Sequence, residues 1–184
     1  MFGNLKLKSG FSLIELVVAI MLIALMATMV VPRFGGRTYK AERDKFISKF
    51  NSMLQLGYQN ALSSSKLHRV LIDIDKKKIR LEIEAGKDAL NKEQFTALKI
   101  SYVKSEINFE DFEIINLYLK KDDKLAGRSR TKEAWFFISP SGMAQEVTLN
   151  LKYLKNPENI NTNIAQDLNP FTVQFKTYDE FQKP

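Results

Sequence analysis

Hydrophobic residues form one long segment near the start of the chain, from Phe11 to Val31, in which the only charged residue is Glu15. An α-helix over residues 11–31 would extend for roughly 31 Å, about the thickness of the hydrocarbon core of a bilayer. The segment is too long for the apolar region of a cleaved secretory signal, and no pair of small residues at cleavage spacing ends it. The pattern therefore predicts a retained transmembrane helix over residues 11–31.

The next segment, residues 32–66, has hydrophobic residues at three- and four-residue spacing. Phe46, Phe50 and Leu54 belong to one stripe of a helix, whereas basic residues occupy the other faces. Pro32 stands between the two hydrophobic patterns, and proline is a frequent cause of helix bending. We therefore expect one long N-terminal helix, bent near Pro32, whose amphipathic second part packs against a sheet.

Apolar and polar residues alternate in short runs over residues 67–184, which predicts an antiparallel β domain. DKKK between VLIDI and IRLEI predicts a hairpin. SPSG between AWFFI and EVTLNL predicts a second hairpin, and the asparagine-rich stretch 156–169 is expected to be a loop. Strands are expected at residues 70–74, 79–83, 98–103, within 107–119, and at 134–138, 146–151 and 171–178.

Carboxylates recur on the first predicted hairpin. Asp73 and Asp75 share one face, as do Arg80, Glu82 and Glu84. Paired carboxylates serve acid–base catalysis in many enzymes. Strand alternation produces the same pattern on a solvated face with cross-strand ion pairs, and this is the interpretation we favour.

The sequence holds no recognisable catalytic constellation: it has no P-loop, no HExxH and no GxSxG. It contains no cysteine, which excludes disulfides, thiolate metal sites and cysteine nucleophiles. The single histidine, His68, stands at a predicted helix–strand junction and is interpreted as a structural polar residue. We predict a protein that is not an enzyme and has no catalytic residues, metal site or cofactor.

The net charge of +7 favours acidic partners such as phospholipid headgroups or nucleic acid. The most basic stretch, residues 120–132, has the composition of a phosphate-binding loop. It also contains Asp122 and Asp123, and the nearby aromatic residue Trp135 begins an apolar strand, so nucleic-acid binding is the less favoured interpretation. The candidate anion-binding residues are Lys120, Lys121, Lys124, Arg128, Arg130 and Lys132.

The stretch GFSLIEL, residues 10–16, resembles the class III signal of type IV pilins and type II secretion pseudopilins. That family has a short basic leader ending in glycine, then phenylalanine, an apolar run and a glutamate. The resemblance implies that a prepilin peptidase cuts between Gly10 and Phe11 and methylates the new amino group of Phe11. Glu15 would then pair with the positive N-terminus of a neighbouring subunit in a filament and set the register between subunits.

The stretch WFFISPSGMAQEVTLNL resembles a second feature, the strand–turn–strand of the type II secretion protein H class. Together the resemblances imply a pilin-like α+β fold, with a long N-terminal helix, transmembrane and then amphipathic, packed on an antiparallel β-sheet domain. The implied organisation is a leader peptide (1–10), a transmembrane helix (11–31), its amphipathic continuation (32–66) and a globular domain (67–184).

The implied function is that of a minor pseudopilin, a structural subunit of a type II secretion pseudopilus. It would be a single-pass inner-membrane protein with a periplasmic C-terminal domain, in contact with prepilin peptidase, other pseudopilins and membrane lipids. The orientation comes from the resemblance alone, because basic residues are more numerous after the span than before it. The alternative is a minor pilin or competence-type pseudopilin that binds DNA.

Overall fold

The chain divides into two compact units, Met1–Glu42 and Arg43–Pro184. The predicted bend at Pro32 lies outside the described residues, and so does the predicted continuity of the N-terminal helix. The computed structural model describes residues 12–30, 38–100, 105–126, 132–155 and 162–184.

The helix of the first unit, α1, comprises Leu13–Val30. Large apolar side chains along it are exposed: Leu13 is 84% exposed and Met26 is 67% exposed. From Ser12 to Met26 every side chain falls in the exposed class. Over the described residues, no helix meets the length and apolarity expected of a membrane span.

The second helix, α2, comprises Thr38–Ser64 and carries the buried stripe that the three- and four-residue spacing predicts. Phe46, Phe50 and Leu54 are all at most 5% exposed. The helix ends where Ser65 takes a positive φ of 51°, a conformation that stops helical hydrogen bonding. The expectation of an amphipathic helix packed on antiparallel sheet is therefore confirmed for the part of α2 in the second unit.

The strands of the second unit form two antiparallel sheets. The strands are β1 (His68–Asp73), β2 (Lys78–Lys87), β3 (Glu93–Ala97), β4 (Glu106–Asn108), β5 (Phe112–Leu119), β6 (Asp122–Asp123), β7 (Glu133–Ile138), β8 (Val147–Tyr153), β9 (Asn163–Asn169) and β10 (Gln174–Tyr178). The first sheet has the order β3-β2-β1-β7, with β4 also paired to β2, and the second has the order β10-β9-β8-β5-β6.

The first predicted hairpin is confirmed, since β1 and β2 pair with Val70 opposite Leu81. The second predicted hairpin is wrong, because β7 belongs to the first sheet and β8 to the second. An isolated bridge joins Ile138 to Ala144, and the Gly142 N–H donates to the Ser139 carbonyl at 2.9 Å in the turn. Strand β8 has β5 and β9 as its two neighbours, which leaves it no free edge for β7.

Two further strand expectations are corrected. The asparagine-rich loop expected at 156–169 is wrong for Asn163–Asn169, which form β9 between β8 and β10. Its buried residues include Ile164 and Gln166, and Gln166 donates from Nε2 to the Thr177 hydroxyl at 3.0 Å. Of the strand expected at 98–103, Leu98 and Lys99 are not in a strand, since β3 ends at Ala97, and residues 101–103 lie outside the described ranges.

The core lies where α2 contacts both sheets. A Cβ atom at Gly57 would lie 3.0 Å from Ile138 Cδ1 and 3.0 Å from Leu81 Cδ1, both on the first sheet. On the other side, the ring centroid of Phe46 lies 4.7 Å from that of Phe112, on the second sheet. The centroids of Phe50 and of Phe175, which lies in β10, are 4.9 Å apart. One helix therefore supplies the contact surface for two sheets.

We expect Gly57→Val to lower the free energy of unfolding by about 1–3 kcal/mol, because Leu81 and Ile138 are fully buried and cannot move aside. Gln59→Val is the matched control: the same side chain is introduced two residues on, at an exposed position of the same helix, and costs only about 0.3 kcal/mol of helix propensity. Urea unfolding of the full chain in detergent micelles, followed by the fluorescence of its single tryptophan, measures both. Equal losses would contradict the close approach of helix and sheet.

Candidate functional site

Ser12 and Glu15 form a reciprocal pair at the start of α1. The Ser12 N–H donates to Glu15 Oε2 at 3.2 Å, and the Glu15 N–H donates to Ser12 Oγ at 3.3 Å. The Leu16 N–H closes the first helical turn on the Ser12 carbonyl at 3.2 Å. This is a capping box, in which two backbone donors that have no partner within the helix are satisfied by side chains.

The capping box gives Glu15 a hydrogen-bond partner within its own chain. Its carboxylate also lies at the N-terminal end of the helix, where the helix dipole favours negative charge. The sequence contains the capping-box pattern, Ser-x-x-Glu before an apolar run. We interpreted Glu15 from the sequence only as an assembly residue and did not predict the cap. The other predicted processing residues, Gly10 and Phe11, lie outside the described residues.

The candidate anion-binding stretch is divided by the fold. Lys124 Nζ lies 3.4 Å from Asp122 Oδ2, and Lys132 Nζ lies 3.6 Å from Asp75 Oδ2, so both lysines have carboxylate partners. Arg128 and Arg130 lie outside the described residues. Lys120 and Lys121 line a separate cavity on the second sheet.

The acidic face expected to be solvated on the first hairpin is partly buried, which corrects that interpretation. Asp73 is 3% exposed and Glu82 is 7% exposed. Arg69 donates from Nε and Nη2 to Glu82 Oε2 at 2.8 and 2.5 Å. The same guanidinium lies over the Phe95 ring at 4.4 Å from its centroid and over the Trp135 ring at 5.7 Å. The cross-strand ion pair was expected, but the aromatic cover that buries it was not.

Asp73 closes the β1–β2 turn. Its Oδ1 accepts the Lys76 N–H at 2.9 Å, and its Oδ2 lies 3.2 Å from Lys76 Nζ. The backbone hydrogen bond from Lys76 lowers the pKa of Asp73 below its ordinary value; burial opposes this shift, and the Lys76 ammonium adds to it. A carboxylate fixed in this way supports the turn and is not poised to exchange protons at neutral pH.

His68 is fully buried beneath the end of α2. Its Nδ1 lies 3.0 Å from the Lys66 carbonyl oxygen, and its Nε2 lies 2.9 Å from Asn60 Oδ1. Burial lowers the pKa of His68, although the hydrogen bond to Lys66 acts in the opposite direction. A neutral ring that donates from Nδ1 accepts at Nε2, and this pairing with Asn60 requires the side-chain amide to be assigned with its NH₂ group, in place of Oδ1, toward the ring. Both ring nitrogens are engaged, as a structural histidine requires.

Comparison with known proteins places a recognised motif at the N-terminus. Residues 5–31 match the family model described as the prokaryotic N-terminal methylation motif. The chain therefore carries an N-terminal methylation motif. No curated protein sequence matches the chain as a relative.

Two solved structures resemble the chain, both of the minor pseudopilin EpsH from the type II secretion system of Vibrio cholerae. The first is 14% identical with a TM-score of 0.48, over 72% of this chain and 92% of that chain. The second, a crystal structure, is also 14% identical with a TM-score of 0.48, over 76% of this chain and 95% of that chain.

The methylation motif includes both residues of the capping box, Ser12 and Glu15, and the described apolar helix Leu13–Val30. The polar side chains at the start of α1 are those of the capping box, and every residue of α1 after Glu15 is apolar apart from Thr28. Within the described ranges, no three His, Asp or Glu side chains are close enough together to hold a metal ion.

We expect the stability of the protein to fall as the pH falls below 6.5, because the unfolded chain binds the His68 proton more tightly than the folded chain does. Because the pKa of His68 is lowered in the folded chain, its contribution to the free energy of unfolding is fully present above pH 6.5. That contribution is lost as the pH falls towards the folded pKa. One proton gives a slope of at most about 1.4 kcal/mol per pH unit. Urea unfolding at a series of pH values between 7.5 and 5 measures it.

His68→Gln is the control, because it should remove this slope whatever its effect on absolute stability. The stabilisation from Asp73 does not overlap with it, since its folded pKa is lowered from 3.8 and its contribution is lost only at lower pH. An equal slope in the wild type and in His68→Gln would show that another group titrates on folding.

Proposed function

We propose that this chain is a minor pseudopilin, a structural subunit of a type II secretion pseudopilus that prepilin peptidase processes and that assembles through its N-terminal helix. The observation that carries the proposal is the methylation motif over residues 5–31, with its capped apolar helix. The resemblance of GFSLIEL to the class III signal supports the same function. The sequence resemblance of WFFISPSGMAQEVTLNL to the H class favours a minor subunit, although its two strands enter different sheets. The absence of cysteine departs from the disulfide-closed C-terminal loop of many type IV pilins.

The surface of α1 supports assembly through this helix. Its side chains from Leu13 to Met26 are exposed, and apart from Glu15 all of them are apolar. A helix that is apolar on all faces is stable in lipid or among other helices, not in water. We propose that residues 11–31 anchor the chain in the inner membrane as a single span, with the β domain in the periplasm, and later pack against other pseudopilins in the filament.

The proposed processing places a charge beside the capping box. Cleavage after Gly10 would make Phe11 the first residue, directly before Ser12. Its methylated amino group is positive, and Glu15 of a neighbouring subunit is the carboxylate we propose as its partner. In a low-dielectric filament core a carboxylate without a partner is costly, so this pairing would fix the register between subunits.

The alternative, a minor pilin or competence-type pseudopilin that binds DNA, has weaker support. It was based on residues 120–132, where Lys124 and Lys132 already have the carboxylates of Asp122 and Asp75 as partners. A phosphate backbone would have to displace both partners, so this stretch offers less free charge than its sequence suggests.

Mass spectrometry of the protein purified from a host with prepilin peptidase tests the processing. We expect a mature chain that begins at methylated Phe11, because glycine before the cut allows close approach of the peptidase backbone. Gly10→Val is the control and should leave the leader attached. An intact leader on the wild-type chain, in a host that processes another prepilin, would refute the proposal.

Glu15→Ala should leave membrane insertion intact and reduce assembly with other pseudopilins at least about tenfold, since breaking a buried charge pair costs roughly 3–5 kcal/mol. Ser12→Ala is the matched control, because it also breaks the capping box but keeps the carboxylate. Cross-linking of neighbouring subunits in isolated membranes and filaments measures assembly. If the two variants assemble equally poorly, Glu15 acts only as a helix cap, and the proposed pairing between subunits is wrong.

A further inference from the structure

A cavity of about 570 Å³ lies on the face of the second sheet turned away from α2. In the strand register Thr148 is opposite Asp167, and Asp167 is opposite Lys176, so these three line one face. Phe175, the neighbour of Lys176, points to the other face and meets Phe50 of α2. A cavity of this volume is of the size that holds small ligands.

The C-terminal residues form one wall of the cavity and are fixed in place. Asn150 donates from Nδ2 to the Gln182 carbonyl at 3.0 Å, and its Oδ1 accepts the Gln182 N–H at 3.1 Å. Asn150 is 1% exposed, so this two-bond pairing is shielded from water and orders the segment. It places Lys183 at the cavity wall.

Four lysines line the cavity: Lys120, Lys121, Lys176 and Lys183. In the described part of the chain none of them has a carboxylate oxygen within ion-pair distance, unlike Lys124 and Lys132. Lys176 Nζ instead lies 5.0 Å from the ring centroid of Tyr178. The backbone N–H of Lys120 donates a hydrogen bond to the Glu146 carbonyl at 3.1 Å, and this bond holds the turn that carries Lys120.

Glu146, Asp167 and the terminal residue Pro184 also line the cavity, and the four lysines still outnumber the carboxylates. Asp167 accepts a hydrogen bond from the Thr148 hydroxyl at 3.0 Å, which occupies one of its oxygens. Phe171, at the rim, is 72% exposed and offers an aromatic surface beside the lysines. The cavity therefore combines free ammonium groups with an exposed ring.

From this arrangement we propose that the cavity binds a phosphate group, carried by a small phosphate compound or by a lipid headgroup. Lysine binds phosphate as a point charge, whereas planar carboxylates are best matched by the fork of arginine, and the described lining contains no arginine. The β5–β6 turn, the β9–β10 turn and the C-terminal segment border the cavity, and its volume suits a compact anion better than a continuous nucleic-acid strand. The site is independent of the proposed filament function.

Isothermal titration of the full chain in detergent micelles with pyrophosphate tests the site. We expect saturable binding that is at least about tenfold weaker in the double variant Lys120→Gln/Lys176→Gln, because two of the four attractive charges are lost. The double variant Lys124→Gln/Lys132→Gln is the matched control: it loses the same net charge outside the cavity and should bind within about twofold of the wild type. Unchanged unfolding midpoints confirm that the variants are folded.

A parallel titration with glycerophosphoglycerol, the soluble headgroup of phosphatidylglycerol, distinguishes the two sources of phosphate. Tighter binding of pyrophosphate supports the site and identifies a free phosphate compound, and tighter binding of the headgroup supports it and identifies a lipid. The proposal is overturned if the wild type binds neither compound, or if both double variants lose affinity equally.

Discussion

The packing of one helix against two sheets is the constraint on which the folded unit depends. Gly57 lets α2 approach β2 and β7 so closely that any side chain there would meet Leu81 and Ile138. The aromatic contacts of Phe46 and Phe50 join the same helix to the second sheet. Because β7 and β8 enter different sheets after a single bridge, the sheets share a core through α2 more than through their own hydrogen bonds.

This constraint explains which parts of the fold could be predicted from sequence. The β1–β2 hairpin depends on a local turn and on alternation, and both are visible in the sequence. The separation of β7 from β8 depends on partners distant in sequence, so a turn signal alone suggested a hairpin. Strand β9 was not predicted because its polar residues are typical of a loop. In the structure the buried amide of Gln166 donates a hydrogen bond to the Thr177 hydroxyl on the next strand.

The candidate sites also differ in whether local sequence could predict them. The capping box of Ser12 and Glu15 is a four-residue motif that sequence alone could have revealed. The lysine-lined cavity could not have been predicted, since Lys120, Lys176 and Lys183 line it together only because of the strand order and the pairing of Asn150 with Gln182. Residues 120–132 did not predict the site well, because in the described part of the chain Lys124 and Lys132 have carboxylate partners whereas Lys120 and Lys121 have none.

The capping box also bears on how an apolar helix tolerates Glu15 before any neighbour is present. An ionised carboxylate in lipid needs hydrogen bonds, and the Ser12 N–H at the positive end of α1 supplies one. Such a cap contributes about 0.5–2 kcal/mol, less than the roughly 3–5 kcal/mol lost when a buried charge pair is broken. In the proposed filament, the charged amino group of a neighbour would therefore be the stronger partner. The cap would stabilise the single subunit without preventing Glu15 from exchanging partners on assembly.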